Sequence, residues 1–269
     1  MTETEQPRVA EHVYKTVGDT PLTLRMFRQA GWRSDERRSA IVLFFGGGWT
    51  NGTPSQFEPQ CRHLAARGMV AFAADYRVRS RHSTSPLEAM ADARSAIRWV
   101  RAHSRELGVD PDRIAAGGGS AGGHLAVCAA LIRASDEPGE DKAVRAEPDA
   151  LVLFNPVLDT TAIPLAGGLL GSRVRDASPL HHVAPGAPPV IIFHGTADTA
   201  VPFSQAMTFC ERMRELGNRC ELVPFEGQEH GFFNFGRGDG WAYRETLAET
   251  ERFLASIGLC APGVGTRTD

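Results

Sequence analysis

The stretch Arg113-Ile-Ala-Ala-Gly-Gly-Gly-Ser120-Ala-Gly-Gly-His-Leu-Ala-Val-Cys-Ala-Ala-Leu-Ile132 decides the fold. Its centre, Gly118 to Gly122, reads G-x-S-x-G. An apolar strand-like run precedes it and an apolar helix-like run follows. That context marks a nucleophile elbow, a tight strand-to-helix turn that lifts a serine out of the sheet edge. Gly118 and Gly122 remove side chains that would collide at such a turn. The helix N-terminus behind Ser120 favours developing negative charge.

Outward from the elbow, strand-like and helix-like segments alternate. Val9 to Val17 and Leu22 to Arg28 read as an antiparallel hairpin joined by Gly18-Asp19. Ile41-Val-Leu-Phe-Phe, Met69 to Ala74, Ala150 to Phe154, Val190 to His194 and Glu221 to Phe225 are short apolar runs of buried-strand type. Between them lie helical patterns: Phe57 to Arg67, a stretch opened by the capping box Ser85-Pro86-Leu87-Glu88 and carried to Leu107, Phe203 to Leu216, and Trp241 to Ile257. Continuous apolar strands alternating with helices predict an α/β fold, a mostly parallel sheet covered on both faces. No repeat and no linker divides the chain, so residues 1–269 read as a single domain. The one irregular insertion, 159–189, is rich in Gly and Pro and reads either as a small lid or as a surface crossover. Residues 261–269 read as a loose tail.

Composition narrows the function classes. The 269 residues are 42% hydrophobic and carry a formal charge of −3. That is enough for a core without metal or disulfide staples, and it offers no basic field for nucleic acid or an anionic membrane. The polar start, Met1 to Pro7, is no signal peptide, and no run reaches transmembrane length. Five scattered cysteines without a C-x-x-C pair predict reduced thiols and a cytoplasmic location. Nothing in the pattern calls for a cofactor or a metal.

A serine hydroxyl needs a base, and the base needs an orienting carboxylate. In this architecture both sit on loops after later strands, in the order Ser, acid, His. Asp198 follows the strand ending at His194, and His230 follows the strand ending at Phe225. These are the acid and base candidates, with Asp159 and Glu226 as fallback acids. Among the other histidines, His124 is expected to pack beneath the elbow and His194 to be structural. His181 and His182 are candidates to line the pocket. Phe45-Gly46-Gly47-Gly48-Trp49, after the strand Ile41 to Phe45, supplies main-chain N–H groups for an oxyanion hole, with the Ala121 N–H as complement.

These segments resemble the α/β-hydrolase fold. More narrowly, they are similar to its hormone-sensitive-lipase-like branch, which also holds bacterial feruloyl and acetyl-xylan esterases. The resemblance rests on Gly46-Gly47-Gly48-Trp49, Asp75-Tyr76-Arg77, Val109 to Ile114, Gly118 to Gly123, His194-Gly195-Thr196-Ala197-Asp198 and Glu229-His230-Gly231-Phe232, in the family's order. It implies Ser120 as nucleophile, His230 as base and Asp198 as orienting acid. It also implies Gly47, Gly48 and Ala121 as oxyanion donors, with Trp49 N–H as an alternate. Asp75-Tyr76-Arg77 is expected to be structural. The chain departs from the family in having Phe45 where a histidine usually precedes the glycines. Either Phe45 holds the loop by packing or the loop is remodelled. The short N-terminal segment offers no long helix for a lipase-type cap, which predicts an open pocket.

The expected activity is a serine carboxylesterase acting on a small-molecule ester. The alternatives are an acyltransferase, a lactonase or cyclase, an amidase, and a non-catalytic ligand-binding relative. Trp49 and Phe232 are the candidates for substrate contact. A homodimer stays open.

Overall fold

A computed structural model describes residues 7–261. The first six residues and the expected tail from residue 262 on lie outside them. Eight strands form one sheet: β1 (Arg8–Val17), β2 (Thr20–Arg28), β3 (Arg38–Phe44), β4 (Val70–Ala74), β5 (Val109–Gly119), β6 (Ala150–Phe154), β7 (Val190–Gly195) and β8 (Cys220–Phe225). Their spatial order is β1-β2-β4-β3-β5-β6-β7-β8. The β1–β2 hairpin and the β2–β4 pair are antiparallel, and every pair from β4 to β8 is parallel.

Every residue of β4, β6 and β7 is buried, which the apolar runs require of strands covered on both faces. The helices are α1 (Glu58–Ala66), α2 (Arg79–His82), α3 (Pro86–Ala102), α4 (Ala121–Leu131), α5 (Pro164–Leu170), α6 (Phe203–Glu215) and α7 (Trp241–Ser256). Helix α3 opens as its sequence says. Ser85 Oγ accepts from Leu87 N at 3.2 Å, and Glu88 accepts from Ser85 N at 2.9 Å.

Three expectations need correcting. Helix α3 stops at Ala102. Leu107 is buried by the turn that follows, where its N–H and that of Val109 bond to His103 and Ser104 carbonyls. Strand β5 starts at Val109, because Arg38 pairs with Val109 before a register irregularity lets Ala40 pair with Ile114. The cysteines are not all free. Cys210 on α6 and Cys220 on β8 form a disulfide with Cα atoms 5.4 Å apart, while Cys61, Cys128 and Cys260 are free and buried. Helix α6 runs back along β8, so a ten-residue spacing that carries no motif brings the two sulfurs together. No described helix is long and apolar enough to cross a membrane.

The parallel strands put the chain's chemistry on one edge. The loops after β3, β5, β6, β7 and β8 all leave from carboxyl ends, where open α/β sheets bind ligands.

Candidate active site

Ser120 sits between β5 and α4 with φ 53° and ψ −119°, a left-handed conformation that a non-glycine residue adopts only under constraint. Three main-chain bonds supply the constraint. Ser120 N donates to Phe154 O at 2.9 Å, and Ser120 O accepts from His124 N at 3.0 Å and Val157 N at 3.4 Å. A methyl group at Gly122 would collide with the carbonyl oxygens of Phe44 and Phe45, so only glycine lets the elbow lie against β3.

The three residues expected to cooperate meet at this edge. Ser120 Oγ is 3.0 Å from His230 Nε2, and His230 Nδ1 is 2.7 Å from Asp198 Oδ2. Asp198 is buried, and its other oxygen accepts the N–H groups of Ala200 and Val201 at 2.9 Å each. Burial alone would raise its carboxyl. Hydrogen bonds from His194, His230 and Val201 N outweigh that and hold it well below the usual carboxylate range. His230 donates Nδ1–H to this fixed anion, so Nε2 faces Ser120 as an acceptor.

The glycine loop lies beside Ser120. A Cβ placed on Gly46 would stand 3.3 Å from Ser120 Cβ. Gly46 N donates to Gln56 Oε1 at 2.6 Å. The N–H groups of Gly47, Gly48 and Trp49 have no acceptor among the described residues. The Ala121 N–H opens α4, where a helix leaves its first donors unpaired. These are preorganised donors of the kind that stabilise an oxyanion.

Phe45 holds the loop by packing. Its ring stacks on Tyr76 at 4.1 Å, and Tyr76 OH donates to the Phe45 carbonyl at 2.8 Å. Asp75-Tyr76-Arg77 is structural in the same sense, since Arg77 binds the buried Asp92 through its side chain.

The cleft above Ser120 has a volume of about 420 Å³, with Val157, Ile163, Leu165, Val201 and Phe233 on its apolar wall and Gln56, Asn155 and Asn234 as its amides. Ile163 and Leu165 belong to the 159–189 insertion, which therefore contributes to the wall. Trp49 borders the cleft, but its indole turns inward to His124. Phe232 does not line the cleft. Gly231, at φ 78°, turns the chain so that Phe232 packs on Phe225 in the core, and Phe233 takes the wall position.

Asp159 caps a short turn by accepting from Thr161 N, and Glu226 is exposed. His182 borders a separate cleft of about 470 Å³ near α3, where Asp136, Glu137 and Asp176 are paired with arginines, Glu88 accepts from Ser85, and Ser120 is not among the lining residues.

Two supports escaped the sequence reading. Asn155, buried at φ 36°, accepts Gly231 N at 3.0 Å and so fixes the residue after His230. An Asn-Pro pair ending an apolar strand was the available signal. His124 was expected beneath the elbow, yet it does more. Its Nδ1 accepts from Trp49 Nε1 at 3.2 Å and its Nε2 donates to Ala177 O at 2.8 Å, joining the glycine loop, α4 and the insertion.

An elbow serine, a histidine and a buried aspartate after β5, β8 and β7 of this sheet define an α/β-hydrolase. Known proteins agree. The alpha/beta hydrolase fold family matches residues 41–167, and the prolyl oligopeptidase family matches 170–255. Esterase 2 of Thermogutta terrifontis, phosphoramylated by tabun, is 53% identical with a TM-score of 0.91, covering 97% of this chain and 98% of that one. Its propionate-bound structure is 52% identical, with a TM-score of 0.90 and 97% of each chain covered. The probable carboxylic ester hydrolase LipM of Mycobacterium tuberculosis is 34% identical over 84% of this chain and 57% of its own length. The chain spans about half the length of the curated relatives it matches. The chain belongs to the α/β-hydrolase-fold serine esterases.

Proposed function

We propose that the protein is a carboxylesterase that hydrolyses small to medium esters through an acyl-enzyme on Ser120. The observation that carries this reading is the Ser120–His230–Asp198 chain, with links of 3.0 and 2.7 Å, beside unpaired main-chain N–H groups. Ser120 Oγ attacks the ester carbonyl as His230 Nε2 takes its proton. Asp198 stabilises the imidazolium and does not itself become protonated. The N–H groups of Gly47, Gly48 and Ala121, with Trp49 as a further donor, receive the oxyanion. His230 then gives its proton to the leaving alcohol. It next activates a water that attacks the acyl carbon and frees Ser120.

The apolar wall of Val157, Ile163, Leu165, Val201 and Phe233 suits a short acyl chain. The propionate-bound relative supports the same choice. The prolyl oligopeptidase match covers Asp198 and His230, parts that ester and amide hydrolysis share, so it does not favour amides. A small-molecule substrate completes the reading; the Cys210–Cys220 disulfide removes the reduced-thiol argument for a cytoplasmic location, and cell fractionation decides that location.

The test is a p-nitrophenyl ester series from acetate to decanoate, with an anilide control. The expected result is the highest kcat/KM at two to four acyl carbons, little anilide turnover, and loss of activity in Ser120→Ala. An unchanged rate in Ser120→Ala refutes the assignment.

A further inference from the structure

We propose that Gln56 and Asn234 form an amide relay that positions the oxyanion loop against the catalytic histidine loop. The relay begins at Gly46 N, which donates to Gln56 Oε1 at 2.6 Å. Gln56 Nε2 donates to Asn234 Oδ1 at 3.0 Å, across 178 residues of sequence. Asn234 Nδ2 donates to Gly231 O at 2.8 Å. Gly231 N then donates to Asn155 Oδ1 at 3.0 Å.

The ends fix the direction of every bond. A main-chain N–H can only donate and a main-chain carbonyl can only accept. Gly46 N therefore forces oxygen on the near side of Gln56, and Gly231 O forces nitrogen on the far side of Asn234. Only one orientation of both amides satisfies the chain, so the two side chains specify each other.

The relay touches no reacting atom. At one end it occupies the Gly46 N–H, which removes that group from the oxyanion donors and fixes the peptide preceding those of Gly47 and Gly48. At the other end it holds the Gly231–Phe232 peptide, one residue past His230, where Gly231 turns at φ 78° and its carbonyl also accepts from Asn234 N at 3.2 Å. The two loops leave from β3 and β8, which are not neighbours in the sheet. Both amides also border the cleft, bridging the loops at its wall. Donors and base must keep a common distance to one carbonyl carbon, and small misplacements of such groups are costly. Gln56 and Asn234 are thus positioning residues. This inference rests on the assignment of Ser120 and His230 above.

The test is a double-mutant cycle on ester hydrolysis with Gln56→Ala, Asn234→Ala and the pair, checked by circular dichroism melting. Each single variant removes two bonds of the relay and should lower kcat about tenfold or more, with KM little changed. The double variant should lose no more than the worse single, because one break already opens the relay. Independent losses that multiply to about a hundredfold overturn the proposal, as do singles with unchanged kcat.

Asn234→Asp keeps the size and supplies a second reading should an alanine variant fail to fold. Its carboxylate can accept from Gln56 but cannot donate to Gly231 O. Its kcat relative to the parent should be low at neutral pH and recover as pH falls and the carboxyl gains a proton. A pH-independent ratio counts against the relay. Ser120→Ala run beside these separates the two claims. If it keeps activity, the nucleophile assignment fails. If it is inactive while Gln56→Ala and Asn234→Ala are fully active, only the relay fails.

Discussion

His124 should make the protein acid-sensitive in a window set by its burial. The imidazole is fully buried. Trp49 Nε1–H can only donate and Ala177 O can only accept, so the neutral form with a bare Nδ1 and a protonated Nε2 satisfies both. A second proton would put an N–H against the indole N–H. Burial, partly offset by the Ala177 carbonyl, lowers the imidazole from 6.5 to about 4. Between those values the unfolded chain binds a proton that the folded chain refuses. Stability therefore falls as pH drops from about 6.5, and the loss is complete below about 4.

A depression of that size corresponds to about 3 kcal/mol. The perturbation is His124→Gln, whose amide can accept from Trp49 and donate to Ala177 but does not titrate. Urea unfolding at several pH values between 7 and 4 is the assay. The parent should lose about 3 kcal/mol more than the variant across this range. Taking the difference cancels the other titrating groups, Asp198 among them. Parallel curves for the two proteins refute the reasoning.

Further outcomes follow from the same geometry. Phe45→Ala removes a fully buried ring stacked on Tyr76, and it should cost about 3–5 kcal/mol of stability by chemical denaturation and loosen the glycine loop. Asp198→Asn replaces an anion that accepts from His230 and from two main-chain N–H groups. By favouring the wrong His230 tautomer it should lower kcat by about 10⁴ in ester hydrolysis. The stabilisation that Asp198 itself gives is present above the unfolded carboxyl value near 4 and fades below it, because its folded value is depressed. Thiol titration of denatured protein should count three free thiols, those of Cys61, Cys128 and Cys260, and five after reduction.

The legible parts of this molecule were those encoded locally. Apolar runs bounded by turn residues gave the strands. Ser85 and Glu88 gave the start of α3, and Gly118 to Gly122 gave the elbow. Asp198 and His230 could be read because each stands just past a strand, at the edge where the elbow also points. What escaped the sequence depends on distant pairings. Gln56 and Asn234 carry no pattern and acquire meaning only when the loops after β3 and β8 meet. Phe232 and Phe233 are adjacent and chemically alike, so the turn at Gly231 decides which one faces the cleft. The start of β5 depends on its pairing with Arg38, and the disulfide on α6 returning along β8. Phe45 left packing or remodelling open until its ring was seen on Tyr76.

The central claim is that Ser120 carries the acyl group, and trapping it is the most direct test. The protein would be treated with a fluorophosphonate, then analysed by intact mass, peptide mapping and residual p-nitrophenyl butyrate hydrolysis. The account predicts one adduct per chain, mapped to Ser120, with activity lost in proportion to labelling. An adduct on another residue, or full hydrolysis by protein modified at Ser120, would contradict it.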